Sequence, residues 1–106
     1  MSDVRLIHST IDSETKGRTL AKRLVEEQLV ACVNLGPEVS SYYRWDGELQ
    51  EEEEFQLTIK TDAEIVGAAV ERLEELHPYD CPEILVTRVS QASTGYEDWV
   101  KKHSSP

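Results

Sequence analysis

The feature that most constrains the fold is the dipeptide Asp46-Gly47, which lies between two long extended segments. Both central positions of a type I′ turn require positive φ, and Asp-Gly is one of the residue pairs that favour this turn. A two-residue turn also sets the register, so that Trp45 faces Glu48 and Val39 faces Glu54. The sequence therefore predicts a β-hairpin whose two strands are each about a dozen residues long, twice the usual length.

Hydrophobic spacing and breaker residues predict the remaining elements. The first predicted elements are a strand over 4–10, a helix capped by Asp12 or Ser13, and a strand over 30–35 that resumes at 39–45 after a bulge at Gly36-Pro37. A third strand ends at Lys60, and a second helix over 62–77 begins with a Thr61/Glu64 capping box. A strand over 83–89 and a helix over 95–102 complete the predicted order. This βαββαβ order with a final helix predicts an α+β fold, a ferredoxin-like split βαβ sandwich that forms a single domain over residues 1–106. The predicted sheet order is 4-1-3-2, with both main helices on the face that carries Phe55, Leu57 and Ile59.

The predicted hairpin is too long for the body that carries it. Its overhang bears Tyr42, Tyr43 and Trp45, and an exposed aromatic patch on a two-strand ribbon is typical of an interface. We therefore expect neighbouring subunits to complete the ribbon through these three residues. The alternative is that the chain's own terminal helix covers it.

Net charge and cysteine content restrict the possible partners. Eleven basic and 21 acidic side chains give a formal charge of −10, which disfavours nucleic acid and anionic membrane surfaces and attracts cations. Cys32 and Cys81 fall at opposite edges of the predicted sheet, and neither belongs to a CxxC pair, so we expect two reduced thiols. No window is apolar enough for a spanning helix and no basic-then-apolar leader is evident, and we expect a cytoplasmic protein.

The predicted topology brings four metal-ligating side chain types to one edge of the sheet. These residues are His8 near the end of the first strand, His77 at the end of the second helix, and Cys81 and Glu83 near the start of the fourth strand. Imidazole and thiolate together favour copper or zinc over magnesium or calcium. Structural roles are the alternative: His77 as a cap of the second helix, Glu83 paired with a lysine or backbone amides, and His8 as a simple strand residue.

A second set of residues favours a different kind of site. Asn34, Tyr43, Lys60 and Trp99 are candidates to line a polar pocket between subunits, with Lys60 as the cation for an anionic small ligand. The alternative for Lys60 is an ion pair with Glu54 across the hairpin. No nucleophile has a predicted base and orienting group nearby, and the phosphate-binding loop of an acylphosphatase-like site is missing, so we expect no enzymatic activity.

Several short motifs, in their order and spacing, resemble the CutA family of divalent-cation tolerance proteins over nearly the whole chain. They are ACVN at 31–34, SSYYRWDGEL at 40–49, Glu54, IKT at 59–61, HPY at 77–79, PEI at 82–84 and GYEDW at 95–99. The resemblance implies a ferredoxin-like protomer in a compact homotrimer whose hairpins pair between subunits, similar in architecture to PII signalling proteins. It also implies binding of copper or other divalent metal ions, a link to metal tolerance, and no established catalytic reaction.

The resemblance supports His77, in its HPY motif, and the position of His8 as metal ligands, but it does not extend to Cys81. Arg44 stands where an aromatic residue is common in the family, and we expect Arg44 to pair with Glu51 instead. The architecture leaves a second function open, a trimeric small-ligand sensor or protein-interaction scaffold that uses the pocket between subunits.

Overall fold

The computed structural model describes residues 1–106 and contains four strands and three helices. In chain order they are β1 (Val4–Ile11), α1 (Glu14–Glu26), β2 (Cys32–Trp45), β3 (Glu48–Asp62), α2 (Val66–Leu76), β4 (Leu85–Arg88) and α3 (Thr94–His103). None of the three helices is both long enough and apolar enough to cross a membrane. The predicted βαββαβ order with a final helix is confirmed.

The strands form one antiparallel sheet in the order β2-β3-β1-β4, which confirms the predicted topology. Trp45 pairs with Glu48 and Val39 with Glu54, as the two-residue turn requires. Asp46 and Gly47 have φ values of 50° and 78°, in the left-handed region that a type I′ turn needs. The register of β2 shifts between Leu35 and Glu38, which confirms the bulge predicted at Gly36-Pro37.

Helices α1 and α2 cover one face of the sheet and enclose the main core. The side chains of Ile7, Leu57 and Ile59 are fully or almost fully buried beneath them. Gly17 lets α1 approach the sheet closely, because a Cβ at this position would lie 2.8 Å from a methyl group of Leu35. Glycine weakens the first turns of a helix, but at this position it allows α1 to pack closely on the sheet.

The face predicted to be free of helices is only partly free. Helix α3 covers one end of it, and Val100 packs there with Val4 and Ala31 in a second, smaller core cluster. The rest of this face, which carries the even-numbered residues of β1, stays open. We call this uncovered area the open face.

Two details at the ends of elements differ from the prediction. Ser13 caps α1 as expected, by accepting a hydrogen bond from the Lys16 amide, but the Thr61/Glu64 capping box is wrong. Strand β3 runs on to Asp62, and the Thr61 hydroxyl donates to the Leu29 carbonyl instead. Strand β4 is shorter than predicted, because its pairing with β1 covers only Leu85 to Arg88.

The hairpin extends well beyond the body of the protein, and the whole chain measures 45 × 26 × 22 Å along its principal axes. Strand β1 pairs with β3 only as far as Phe55, so residues 48–54 of β3 have a free edge. Trp45 is 58% exposed and Tyr42 64% exposed. Helix α3 packs at the other end of the sheet, so the alternative in which it shelters the hairpin is wrong. Arg44 forms no ion pair with Glu51, and that prediction is also wrong.

Candidate functional site

A cleft of about 770 Å³ lies where the hairpin leaves the body of the protein. The hairpin forms one wall, and the other comes from the end of β1 and the loop between α2 and β4. Aromatic side chains and carboxylates dominate the lining, which consists of Thr10, Asp12, Ser41, Tyr42, Tyr43, Trp45, Gln50, Glu52, Glu54, Tyr79, Asp80, Cys81 and Glu83. Five carboxylates and a thiol line the cleft, and the lining contains no lysine or arginine. Cations are therefore attracted to it.

His77 holds the loop wall of this cleft in place. Helix α2 ends at Leu76, where Pro78 prevents another helical turn. The Nε2 atom of His77 lies 2.8 Å from the Thr10 carbonyl oxygen, to which it donates, and Nδ1 accepts from the Tyr79 amide at 3.1 Å. Both ring nitrogens are thus engaged, and the side chain is only 6% exposed. This bonding fixes the neutral tautomer with the proton on Nε2.

Tyr79 connects the loop to the hairpin. Its ring meets that of His77 edge to face, with centroids 4.6 Å apart. Its hydroxyl donates to Glu54 Oε2 at 2.8 Å, and Glu54 is only 7% exposed. Burial, with the hydrogen bond to Glu54 second, raises the pKa of the Tyr79 hydroxyl above its ordinary value. The hydroxyl therefore stays protonated and keeps the buried carboxylate satisfied.

The hairpin wall carries a second tyrosine–carboxylate contact. Partial burial, followed by the hydrogen bond with Glu52, raises the pKa of Tyr43. Just outside the cleft, two carboxyl groups meet across the strands: a hydrogen bond with Glu53 raises the pKa of Glu38. Like charges this close favour the protonated form of one partner, because ionisation of both carboxyl groups is unfavourable.

The structure separates the four residues predicted as metal ligands into different roles. Cys81 and Glu83 line the cleft and are exposed. His8 lies on the open face, where its Nε2 is 2.9 Å from the Thr87 hydroxyl. No group of three or more His, Cys, Asp or Glu side chains is arranged to hold a metal ion. The donors of a single protomer, as arranged, do not fit a closed copper or zinc site, which needs several donors within about 2.0 to 2.3 Å of one point.

The four residues predicted to line a ligand pocket are also divided. Lys60 Nζ donates to Asn34 Oδ1 on the open face, so the alternative pairing of Lys60 with Glu54 is wrong. Tyr43 lies in the cleft, about ten strand residues or roughly 33 Å along the hairpin from Lys60. Trp99 is on α3, 42% exposed and stacked on Tyr96 with centroids 5.7 Å apart. Within one protomer Tyr43 is far from Lys60 and Asn34, so a pocket that includes these residues together would need the Tyr43 of a neighbouring protomer.

Sequence reasoning missed the acidic character of the cleft. Asp12, Glu52, Glu54 and Asp80 were not predicted as site residues, yet they surround Cys81 and Glu83. One signal was available: Glu52 and Glu54 alternate along β3 and so share a face, and the Asp46-Gly47 turn pairs them with Ser41 and Val39. The position of the 77–84 loop, which brings Asp80 to the same place, depends on tertiary contacts.

Comparison with known proteins decides the family. A family profile described as "CutA1 divalent ion tolerance protein" matches residues 5–103. The chain belongs to the CutA1 family. It is 42% identical over 104 residues to the "Divalent-cation tolerance protein CutA" of Thermus thermophilus, a match that covers 98% of this chain and 99% of that protein. The resemblance seen in the sequence motifs is therefore confirmed.

Solved structures of CutA proteins confirm the fold. The CutA structure from Xylella fastidiosa superposes with a TM-score of 0.94 at 40% identity and covers 98% of this chain and 100% of that one. The CutA structure from Synechococcus elongatus gives a TM-score of 0.94 at 36% identity and covers 99% and 93% of the two chains. This CutA1-family chain thus has the ferredoxin-like, PII-like fold.

Proposed function

We propose that this protein is a non-enzymatic homotrimer that binds divalent metal ions, copper foremost, and acts in metal-ion tolerance. The family description and the name of the Thermus thermophilus relative refer to tolerance of divalent cations and to no catalysed reaction. The observation that carries the proposal is the cleft, in which a thiol and five carboxylates meet with no basic side chain among them. Thiolate favours copper and zinc, and carboxylate accepts most divalent cations.

Cys81 and Glu83 are the ligands that we propose first, since both are exposed in the cleft. Carboxylates of the hairpin wall, such as Glu52, are the available further donors. His77 is a less accessible ligand, because binding through either ring nitrogen would break a hydrogen bond to Thr10 or Tyr79. His8 does not line the cleft, and metal binding through its Nε2 would break the contact with the Thr87 hydroxyl.

The trimer is supported by edges that have no partner within the chain. Residues 48–54 of β3 have a free edge, and β4 forms the end of the sheet with Leu85 58% and Val86 46% exposed. Unpaired edges flanked by apolar side chains favour pairing with another chain. Because the free part of β3 and the edge of β4 are different surfaces, their contact is head-to-tail, and three copies can close such a contact into a ring.

A cytoplasmic location is also part of the proposal. Cys32 and Cys81 are both free thiols in the structure, and unpaired cysteines are typical of a reducing compartment. Fractionation of cells that produce the protein, followed by immunodetection, tests this location. Recovery in the periplasm or in the culture medium would contradict it.

Copper titration followed by calorimetry tests the metal role. Cys81→Ser and Glu83→Gln should each weaken Cu²⁺ binding about tenfold or more, because each removes one donor from a small set. Cys32→Ser is the matched control, since Cys32 begins β2 and does not line the cleft. Absence of binding in the wild type, or equal binding by wild type and both cleft variants, would remove the cleft as the metal site.

A further inference from the structure

One of the five carboxylates of the cleft differs from the other four. Glu54 is only 7% exposed, whereas the others are open to solvent: Asp12, Glu52, Asp80 and Glu83. Glu54 directly precedes Phe55, where the pairing of β3 with β1 begins, so it lies at the base of the hairpin. A carboxylate that has lost most of its water depends on the partners that remain. The partner of Glu54 therefore decides whether this carboxylate is available to a cation.

The side chain of Tyr79 is that partner. Its hydroxyl donates to Glu54 Oε2 at 2.8 Å, and a hydrogen bond to an ionised acceptor is roughly twice as strong as one between neutral groups. The ring of Tyr79 also packs edge to face on His77, with centroids 4.6 Å apart. This contact supports the hydroxyl in its position facing the hairpin. A cation at Glu54 Oε2 would have to compete with a donor that is already in place.

The main chain of the same residue engages the imidazole beside the cleft. The Tyr79 amide donates to His77 Nδ1 at 3.1 Å, and His77 Nε2 is bonded to the Thr10 carbonyl at 2.8 Å. Tyr79 thus occupies two potential metal ligands, one through its side chain and one through its backbone. The donors left to a cation are the exposed ones, such as Cys81 and Glu83, whose side chains must be ordered on binding.

We infer that the hydrogen bond from Tyr79 makes the Glu54 carboxylate unavailable to metal ions, so that the cleft binds divalent cations less tightly than its donors allow. The inference rests on the proposed metal role of the cleft. It agrees with the finding that no three His, Cys, Asp or Glu side chains are arranged to hold a metal ion. Tyr79 is here a positioning residue that acts through Glu54, and Glu54 adds to the metal affinity only where the hydroxyl is removed.

The inference predicts that loss of this hydrogen bond raises the metal affinity. In Tyr79→Phe the Glu54 carboxylate is buried without its donor, and a divalent cation can supply the missing positive partner. Phenylalanine keeps the ring contact with His77 and the amide bond to its Nδ1. We expect Cu²⁺ to bind about tenfold more tightly, since binding no longer breaks a hydrogen bond to a charged group. A purely structural role of Tyr79 predicts the opposite sign, because a loosened loop would order its donors less well.

Calorimetric titration of the full chain with Cu²⁺ tests the inference in a double-variant cycle. Glu54→Gln alone should change the affinity by no more than about threefold, because it removes only the longer-range attraction of a charge that is already hydrogen-bonded. Tyr79→Phe/Glu54→Gln should lose the tenfold gain of Tyr79→Phe. Tyr42→Phe is the matched control, since Tyr42 also lines the cleft but is 64% exposed, and its affinity should equal that of the wild type.

Carbon-13 NMR of the Glu54 side-chain carboxyl during titration with Zn²⁺, a diamagnetic divalent ion, is a second readout. The signal should move in Tyr79→Phe and stay in place in the wild type, a measurement that needs no variant. The inference is overturned, and the metal role kept, if the wild type binds Cu²⁺ and Tyr79→Phe binds no more tightly, or if the wild-type Glu54 signal moves with Zn²⁺. Binding by Tyr79→Phe alone would support the inference. If neither protein binds Cu²⁺, the inference and the proposed metal role of the cleft are both wrong.

Discussion

At the scale of single residues, the hydroxyl of Tyr79 has the largest structural consequence in the cleft. It is the hydrogen-bond donor to the buried carboxylate of Glu54 and forms the only side-chain hydrogen bond between the 77–84 loop and the hairpin. Tyr79→Phe removes one oxygen atom and keeps the ring contact with His77. A buried carboxylate that loses its donor has a desolvation cost of about 1 to 3 kcal/mol. We expect the free energy of unfolding to fall by about that amount, as measured by urea denaturation.

The matched control is Tyr42→Phe, since Tyr42 is a 64% exposed tyrosine of the same hairpin with no hydrogen bond to a carboxylate. Its free energy of unfolding should stay within about 0.5 kcal/mol of the wild type. A double variant Tyr79→Phe/Glu54→Gln should recover part of the loss, because an amide in place of the carboxylate has no unpaired charge to bury. Equal free energies of unfolding for Tyr79→Phe and the wild type would show that the hydrogen bond between the loop and the hairpin does not contribute to stability.

The same residues show where prediction of the site from the sequence ends. His77 was correctly placed beside the end of β1, because Pro78 fixes the end of α2 and the topology fixes its direction. The bond partners of His77 depend on distances between atoms far apart in sequence. The sequence therefore leaves open the choice between a metal ligand and a structural histidine, and the structure adds the two hydrogen bonds of His77 with the Thr10 carbonyl and the Tyr79 amide.

At the scale of elements, Glu27 links the two main helices. It follows the end of α1 and accepts two hydrogen bonds from Arg72 of α2, at 2.7 and 3.0 Å, and a third from Arg23 at 2.6 Å. The hydrogen bond from Arg72 is the largest cause that lowers the pKa of Glu27 from 4.5 to about 2. A carboxyl group with a lowered pKa in the folded state contributes stability above its unfolded pKa and loses this contribution as pH falls.

We therefore expect the helix pair to lose the contribution of Glu27 as pH falls from about 4.5 to about 2. Glu27→Gln should lower the midpoint of thermal unfolding at pH 7, and the difference from the wild type should shrink across that pH range. Glu26→Gln, at an exposed neighbouring position, is the control and should show no such change. A difference between Glu27→Gln and wild type that stays constant from pH 7 to pH 2 would contradict the assignment.

Most elements of this fold are local in origin, which is why the sequence predicts them. The Asp46-Gly47 turn, the cap of α1 at Ser13 and the end of α2 at Pro78 depend on residues within one or two turns of chain. The start of α2 is different. Thr61 and Glu64 have the spacing of a capping box, but β1 pairs with β3 as far as Asp62 and keeps Thr61 in the sheet. Strand pairing with distant residues thus overrides a local helix signal.

At the scale of the whole molecule, the hairpin predicts assembly. Residues 48–54 of β3 lack a second neighbour, and Tyr42, Trp45 and Leu49 are 58% to 77% exposed. An apolar ribbon of this kind is marginally stable in water and is stabilised by burial against another copy. A ring of three protomers that pairs the free edge of β3 with the β4 edge of the next protomer covers two unpaired edges at once. We expect a trimer at micromolar concentration, observed by gel filtration with light scattering.

The double variant Tyr42→Ser/Trp45→Ser should shift this equilibrium toward the monomer, because it removes two large apolar side chains from the proposed interface. Each fully buried aromatic side chain contributes roughly 1.5 to 3 kcal/mol, so the concentration at half-dissociation should rise by at least about a hundredfold. Val25→Ser, which alters a 41% exposed apolar residue on α1, is the control and should leave the trimer intact. A double variant as fully trimeric as the control would mean that Tyr42 and Trp45 do not stabilise the contact between protomers. A wild type that is monomeric at micromolar concentration would mean that the hairpin is stable in solution without a neighbour, and the metal ligands of the acidic cleft would then have to come from one chain.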